Sequence, residues 1–585
     1  MSGLDWFLVI GLNGVIIAYG LYLSRGVHTS TDWFLASRSL PWWLLGLSMY
    51  ATAIDSSDLV ADSGWAYHTG MRVLAVNWVG VLVGWGLAGF FIALPMYRAG
   101  MYTNAEYLEA RFGVGVRVIS ALVQVQYRTL VLGLIATTSF WVMHIVCGWS
   151  FFHAWSAVAA IAVIASIYAA LGGLRSVAVT DGLQFVVMTV AALVIWFVVW
   201  NQVGGWSGIE QKLTAHDPEL AAQLMEAGQD YLGKTDVSEW SQRKIDGHVL
   251  LGSEYDAGKQ ELTRRTPIWM MSLGLILVGM AYSIVNHTQM MRMFAARSEW
   301  DLKMCVWVAG VVMVVMSFFN LTMGIMGRAL MPDVSGLPRV KADAIYPYLV
   351  DQLAPVGLKG LVVAGIMAAA FSTYDSIGSA LSALLTRDVY ARLLVRRGSD
   401  RHYLRVGQWL TPLIIASAFL YVPSLLKEGM VMYYLDLTSA FVMPLLTLYL
   451  MGVFTRVHRR SGLIGLLVGT AYGVARLLAP TIAEHFGIAI LPPFMIDTYA
   501  AYPISVLITG GTMVLVSLVR GWEQRGDLLH EETGGWLRES QLAVRRLEAD
   551  SRADRPQRGA AAHLPAILAW LVVVIGGILF FVVIW

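Results

Sequence analysis

The chain has 585 residues, 57% of them hydrophobic and only 14% charged, with a formal net charge of +2. A soluble globular chain is about a quarter charged, so this composition excludes one and indicates an integral membrane protein. The near-neutral balance, with no basic patch interleaved with aromatic residues, gives no footing for nucleic acid.

The 22 Trp residues suit the interfacial belts of a polytopic protein. The N-terminus, MSGLDWF, lacks the basic start and small-residue cleavage site of a signal peptide, so the first apolar run is read as a span. Apolar runs of spanning length follow at roughly 5–25, 42–68, 73–98, 114–147, 153–171, 177–202, 266–293, 302–328, 357–385, 404–426, 430–455, 461–484, 495–520 and 563–585, about fourteen helices. Every second connection is basic: Arg25/Arg38, Arg98/Arg111/Arg117, Arg292/Arg297/Lys303, Arg387 to Arg405, Arg456/Arg459/Arg460 and the Arg-rich segment 520–558. The positive-inside rule puts these connections in the cytoplasm and both termini outside. Cys147 and Cys305 then fall on opposite sides, which argues against a disulfide.

Two longer connections interrupt the pattern. Residues 203–265 are mixed in charge and partly helical in pattern from Asp217 to Ala227, which reads as an external loop with some structure. Residues 530–550, HEETGGWLRESQLAVRRLEAD, have the pattern of an amphipathic helix, but a solvated or interfacial tether before the last span is the preferred reading.

The second run carries the polar residues that matter most. Leu47 to Gly70 reads LSMYATAIDSSDLVADSGWAYHTG and holds Thr52, Asp55, Ser56, Ser57, Asp58, Asp62 and Ser63. A carboxylate at the bilayer centre costs at least ~2.5 kcal/mol and marks a functional site. Polar, helix-breaking residues are tolerated there only around a protein-buried or watery cavity. The expectation is a broken helix forming a binding site near the midplane, with a hairpin between two short helices as the alternative.

Arg128, deep in the fourth run, needs a partner, an intramembrane aspartate first and a substrate carboxylate second. Ser372 and Thr373 follow Ala369 by three and four residues on one helical face. That arrangement suits a hard cation such as Na+, and equally suits hydroxyls bonding back to the preceding turn. Asp375 and Ser376 extend the same face, as a second ion or proton site or as partners of a neighbouring helix. No phosphate loop, His-Glu-x-x-His or zinc-spaced cysteine pair is present, and His144 and His287 read as hydrogen-bonded core histidines rather than haem ligands. The chain is therefore expected not to be an enzyme and to hold no organic cofactor.

Several stretches together resemble one family. They are PMYRAGMYTNAEYLEARFG (95–113), YAALGGLRSVAVTDGLQ (168–184), NHTQMMRMFAA (286–296), GIMAAAFSTYDSIGSALSALLTRDVY (365–390) and RVHRRSGLIGLLVG (456–469). They are similar to the sodium:solute symporters and run in that family's order. The resemblance implies an all-α integral membrane protein with a LeuT-like 5+5 inverted-repeat core and a broken first core helix. Its parts would be an extra N-terminal helix and cytoplasmic loop (1–40), a first repeat (41–202), an extracytoplasmic loop (203–265), a second repeat (266–455), additional spans (456–520), a cytoplasmic Arg-rich segment (521–562) and a last span (563–585).

The resemblance also implies a sodium site formed by the carbonyls of Ala51, Ile54 and Ala369 and the hydroxyls of Ser372 and Thr373. Asp181 matches a position implicated in ion passage to the cytoplasm, and Tyr282 looks like an inner aromatic gate. Asp58 stands where sugar-carrying relatives place a polar contact to solute, and Asp55, Ser57 and Asp62 join it as candidates for substrate or coupling. The chain also departs from the pattern. Val79 and Leu435 stand where sugar carriers have a glutamate and a glutamine, span 302–328 lacks their internal lysine, and His287 and Met291 replace two glutamines. The implied function is symport of a small organic solute with Na+ as coupling ion, in a multi-pass protein of the cell membrane whose partners are the solute and the bilayer. Two alternatives are kept: proton coupling through Asp55, Asp181 or Asp375, and a solute sensor signalling through 520–562.

Overall fold

The computed structural model describes residues 1–25, 29–225, four two-residue strands between 244 and 262, 268–332, 344–425, 430–524, 528–529, 536–542, 544–545 and 560–578. Ten helices among these residues are long and apolar enough to cross a bilayer, or eleven if one bent pair forms a single span. In chain order the principal helices are α1 (Gly3–Ser24), α2 (Trp42–Ala53), α3 (Ser56–Thr69), α4 (Met71–Leu87), α5 (Asn104–Phe112), α6 (Val114–Ile145) and α7 (Phe151–Val203). After the long connection come α8 (Ile268–Ile284), α9 (His287–Phe294), α10 (Glu299–Leu330), α11 (Ile345–Leu353), α12 (Leu358–Leu384), α13 (Asp400–Ser417), α14 (Met430–Leu437) and α15 (Met443–Phe454). Three more, α16 (Ser461–Phe486), α17 (Thr498–Arg520) and α18 (Ala560–Ile578), follow.

The 53 residues of α7 would run ~80 Å at ~1.5 Å per residue, far beyond a hydrocarbon core of ~30 Å. Gly173 resolves this by leaving the helical region at φ 62°, ψ 172°. A side chain there would be strained, and its Cβ would lie 2.9 Å from Trp33 Cδ1. The two runs expected at 153–171 and 177–202 are the two arms of this kink.

Helix α12 is buried along nearly its whole length and packs on α7 and α1, while α10 packs on both α2 and α3. Helices α4 and α8 approach closely at glycines: a Cβ on Gly84 would lie 2.7 Å from the Ile276 carbonyl oxygen and 2.8 Å from the Met280 nitrogen. The small-residue spacing Gly80/Gly84 is thus used inside the molecule.

One expectation is corrected at one end of the bundle, where Arg111, Arg117, Arg292 and Arg387, counted among the basic connections, are buried. Arg117 ion-pairs with Glu106, Glu109 and Asp388, and Arg387 with Glu106. The C-terminal segment is not a free tether over its described part. Trp536 stacks on Tyr403 with ring centroids 4.1 Å apart and donates from Nε1 to Asp400 at 2.9 Å, and Leu537 and Val544 are buried. Its apolar residues are covered because α13 and the Glu106–Arg387 pair offer an aromatic and charged seat.

Candidate functional site

The stretch rich in aspartate is a broken helix and not a hairpin. Ile54 (φ −103°, ψ 103°) and Asp55 (φ −108°, ψ −171°) are extended between α2 and α3. The sequence explains the break through capping. The Asp55 carboxylate accepts from the Ser57 amide at 2.7 Å and from its hydroxyl, and the Asp58 carboxylate accepts from the Asp55 amide at 2.8 Å. This is a capping box, and it starts a new helix where the old one would have continued.

Those amides are the ones a continuous helix would direct to Ala51 and Ala53, so two carbonyls are released. The Ser372 hydroxyl from α12 lies 2.7 Å from the Ala51 carbonyl oxygen, and the Tyr282 hydroxyl donates to that of Ala53 at 3.4 Å. Ser372 also lies 2.9 Å from the Ala369 carbonyl oxygen, and Thr373 bonds back to the same carbonyl at 3.2 Å. Ala51 and Ala369 carbonyls and the Ser372 and Thr373 hydroxyls thus meet where α12 passes the break, beside extended Ile54. Two carbonyls and two hydroxyls at one place are uncharged oxygen donors of the kind a hard cation takes.

A second break answers the first. Helices α8 and α9 meet at a 56° bend, capped by Asn286. Asn104 Nδ2 donates to the freed carbonyls of Ile284 (2.7 Å) and Val285 (2.9 Å), and Gln289 Nε2 reaches the Met49 carbonyl (3.2 Å), tying the two broken helices together.

Beside the first break lies a cavity of about 170 Å³, against ~10–15 Å³ for a single water. Asp55, Ser57, Asp58 and Asp62 line it from the break and α3, with Trp65, Asn77, Trp85, Tyr282, Ser317 and Tyr434 around them. Asp58 and Asp62 are one turn apart on the same face. Asp62 accepts no hydrogen bond among the described residues, because the capping geometry uses only its two predecessors. Of the two positions compared with sugar carriers, Leu435 lines the cavity, whereas Val79 does not and Asn77 does.

Arg128 makes no direct polar contact: none of its three guanidinium nitrogens makes a hydrogen bond among the described residues, and no carboxylate there lies within ion-pair distance. It sits over the rings of Tyr282 (5.3 Å) and Tyr127 (5.6 Å), and Tyr127 is hydrogen-bonded to Tyr434 at 2.7 Å. Two such rings supply ~0.5–2 kcal/mol each, short of the several kcal/mol that burying an ion costs. Asp55 and Asp58 lie near enough to act on its charge without touching it, their oxygens being occupied by capping.

Asp181, Ser376 and Asp375 form a separate cluster around Arg292. Arg292 pairs with Asp181 at 2.8 Å and donates to Ser48 (2.6 Å), Ser376 (2.5 Å) and the Thr288 carbonyl (2.8 Å). Ser48 donates to Asp181 at 2.5 Å, Thr52 to Ser376 at 3.2 Å, and Ser376 to Asp375 at 3.1 Å. Sequence reasoning missed Arg292 as a site residue because it was read as a loop cation. Its place four residues after Thr288 in a helix of strong one-sided polarity was the available signal.

Residues 33–469 match the sodium:solute symporter family. The chain is 28% identical over 490 residues to sodium/glucose cotransporter 2 of Rattus norvegicus, covering 79% of this chain and 70% of that protein. It is 26% identical over 504 residues to sodium/glucose cotransporter 4 of Danio rerio, covering 82% and 72%. The fold resembles a Na+-coupled sialic acid symporter in a substrate-bound outward-open state, with TM-score 0.71, 18% identity, and 90% and 99% of the two chains covered. It also resembles MHP1, a nucleobase-cation-symport-1 family transporter, with TM-score 0.53, 12% identity, and 88% and 98% covered. The chain is a transporter rather than an enzyme, and it belongs to the sodium:solute symporter family.

Proposed function

We propose that this chain is a secondary active transporter that carries a small organic solute into the cell with Na+ by alternating access. One observation carries the reading: the Ser372 hydroxyl meets the carbonyl of Ala51 that the helix break releases. On this reading Ala51, Ile54, Ala369, Ser372 and Thr373 take the Na+ and the cavity beside them takes the solute. A cation at that place pulls α12 onto the broken helix and orders the wall that carries Asp55, Ser57 and Asp58. Coupling follows if ion and solute favour the same conformation. The sodium/glucose cotransporters similar to this chain support Na+ as the coupling ion.

The same reading takes residues 41–202 and 266–455 as the two inverted repeats, each opening on a broken helix. Counting each broken pair as one span, the arms of α7 as two, and α18 as the last gives fourteen crossings, which sets both termini on one side, and the basic connections support taking that side as the outside. Proton coupling stays as the second reading for a specific reason. Asp181 and Asp375 share Arg292 as their cationic neighbour, and one Asp375 oxygen has no partner among the described residues.

The test is thermal stability of the purified chain against a solute panel in NaCl and in KCl. Sodium symport predicts a solute whose stabilisation requires Na+ and loses that requirement in Ser372→Ala. A response identical in both salts that moves with pH gives the role to the proton.

A further inference from the structure

We infer that the solute is a protonated amine, its N–H groups received by Asp62 and its carbon body by the apolar and aromatic walls of the cavity. The inference rests on the transport reading above and names the class of solute its cavity takes.

Among the described residues the cavity is lined by three carboxylates, Asp55, Asp58 and Asp62, and by no lysine, arginine or histidine. The three are not equally occupied. Asp55 accepts from the Ser57 amide and hydroxyl, and one oxygen of Asp58 accepts from the Asp55 amide. Asp62, one turn beyond Asp58 on the same face of α3, accepts from no described residue.

The charges follow the same order. Arg128 acts on Asp55 and Asp58, whereas the charge acting on Asp62 is that of Asp55, a like one. Among the described residues one fixed cation thus faces three carboxylates, and Asp62 is the one it leaves unanswered. A Na+ held at the helix break does not reach it. Asp62 stands about two turns along α3 from the break, ~10 Å at ~1.5 Å per residue. An opposite charge acts strongly only within ~4–6 Å.

The wall formed by α4 supplies an acceptor independent of the aspartates. The Asn77 side-chain oxygen is buried and has no donor among the described residues, and Asn77 lines the cavity. A buried acceptor left so costs ~1–3 kcal/mol, and a charged one more. Asp62 and Asn77 therefore call for N–H donors from the cavity they share, and an ammonium carries three.

The remaining lining selects the body of the solute. Trp65, Trp85 and Tyr282 present aromatic surface, with the Trp85 and Tyr282 ring centroids 6.0 Å apart. Such surface favours a nearby cation as well as carbon. Val131, Leu134, Val278 and Leu435 add apolar wall. At about 170 Å³ the cavity has room for roughly a dozen water-sized groups.

Three other solutes fit worse. A neutral sugar brings no charge to Asp62 and sets hydroxyls against valine and leucine. A carboxylate adds a fourth negative charge. A quaternary ammonium answers the charge but has no N–H for Asp62 or Asn77. A small alkyl or arylalkyl amine supplies the charge, the donors and the apolar body together.

The test is the melting temperature of the full-length purified chain in NaCl and in KCl. The probes are n-butylamine, n-hexylamine, benzylamine and phenethylamine. The controls are the alcohol and the carboxylate matched to each carbon skeleton, tetramethylammonium and glucose. At least one amine should raise the melting temperature in NaCl while its matched alcohol and carboxylate do not at equal concentration. Asp62→Asn should weaken that amine at least tenfold, and Asp62→Glu, which keeps the charge, should retain more of the response. Asn77→Ala should weaken it by a smaller factor. Without ligand, Asp62→Asn should be as stable as the parent or more so, since it removes a carboxylate with no counter-charge. An aspartate with a purely structural role predicts the reverse.

The inference is overturned if no amine stabilises the chain, if tetramethylammonium or glucose does so in their place, or if the response survives Asp62→Asn. Its failure is separable from failure of sodium coupling. An amine that binds equally in NaCl and KCl sinks the ion reading and keeps the solute class, whereas glucose binding only in NaCl does the opposite.

Discussion

The Ser372 hydroxyl sits 2.7 Å from the Ala51 carbonyl oxygen, joining two helices whose sequences lie 321 residues apart. Ala51 is available because the Asp55 amide has turned to Asp58. Removing the hydroxyl leaves a buried carbonyl without its partner, which costs ~1–3 kcal/mol. Ser372→Ala should therefore lower the melting temperature in K+ modestly, and should weaken Na+ stabilisation at least tenfold. Ser372→Thr, which keeps the hydroxyl, should retain most of both. If Ser372→Ala responds to Na+ as the parent does, the ion does not use this oxygen.

The pair Asp181–Arg292 is buried on both sides. Breaking a buried pair from one side costs ~3–5 kcal/mol, because the remaining charge has no water to turn to. Asp181→Asn and Arg292→Met should each destabilise strongly, and the double variant should be less destabilised than the two effects added. A double-mutant cycle with a coupling of more than ~1 kcal/mol is the expected result. Strict additivity would mean that Ser48, Ser376 and the Thr288 carbonyl hold Arg292 without help from Asp181.

How far these features were legible in the sequence depended on their range. The break at Ile54–Asp55 is written locally, since Asp55 and Asp58 stand at the N-cap and three residues on. The meeting of Ala51 with Ser372 was accessible only through resemblance to a family, because no local pattern pairs residues so far apart. Arg128 was recognised as costly, but the rings around it, Tyr127, Tyr282 and Tyr434, come from three different helices. The docked segment around Trp536–Gln541 was misread for a similar reason. Its apolar face is short, and what covers it, Tyr403 and the Glu106–Arg387 pair, lies more than a hundred residues away.

Gly84 tests the close approach of α4 and α8. An added Cβ would meet the Ile276 oxygen at 2.7 Å and the Met280 nitrogen at 2.8 Å, both backbone atoms that cannot rotate away. Gly84→Val should cost ~1–3 kcal/mol or more by forcing the helices apart. The oligomeric state should not change, because the face is covered within one chain. A variant that keeps its stability but shifts its size in detergent would instead make Gly84 part of a contact between copies.

Glu106 anchors the charged cluster beneath the C-terminal segment, accepting from Arg387 at 2.9 Å, Arg117 at 3.3 Å and Gln541 at 3.1 Å. Burial alone would raise its pKa, but the two guanidinium groups outweigh burial and hold it at about 2, below the ordinary 4.5. A depressed carboxyl stabilises the fold above its unfolded value and loses that contribution as pH falls through the folded one. Glu106 should therefore stay ionised across the physiological range, whereas Asp388, which burial and the Glu106 charge push up to about 6, is the member of the cluster that titrates there. Glu106→Gln should open a stability gap that narrows as pH rises through about 6, where Asp388 ionises beside the Glu106 charge, and that closes as pH falls below about 4.5 toward 2. The same substitution should speed hydrogen exchange at residues 536–542, since Gln541 and the Arg387–Ser540 contact lose their anchor. A gap that stays flat through pH 6 would show that Asp388 does not feel the Glu106 charge, and unchanged exchange at 536–542 would mean that Trp536 on Tyr403 holds the segment unaided.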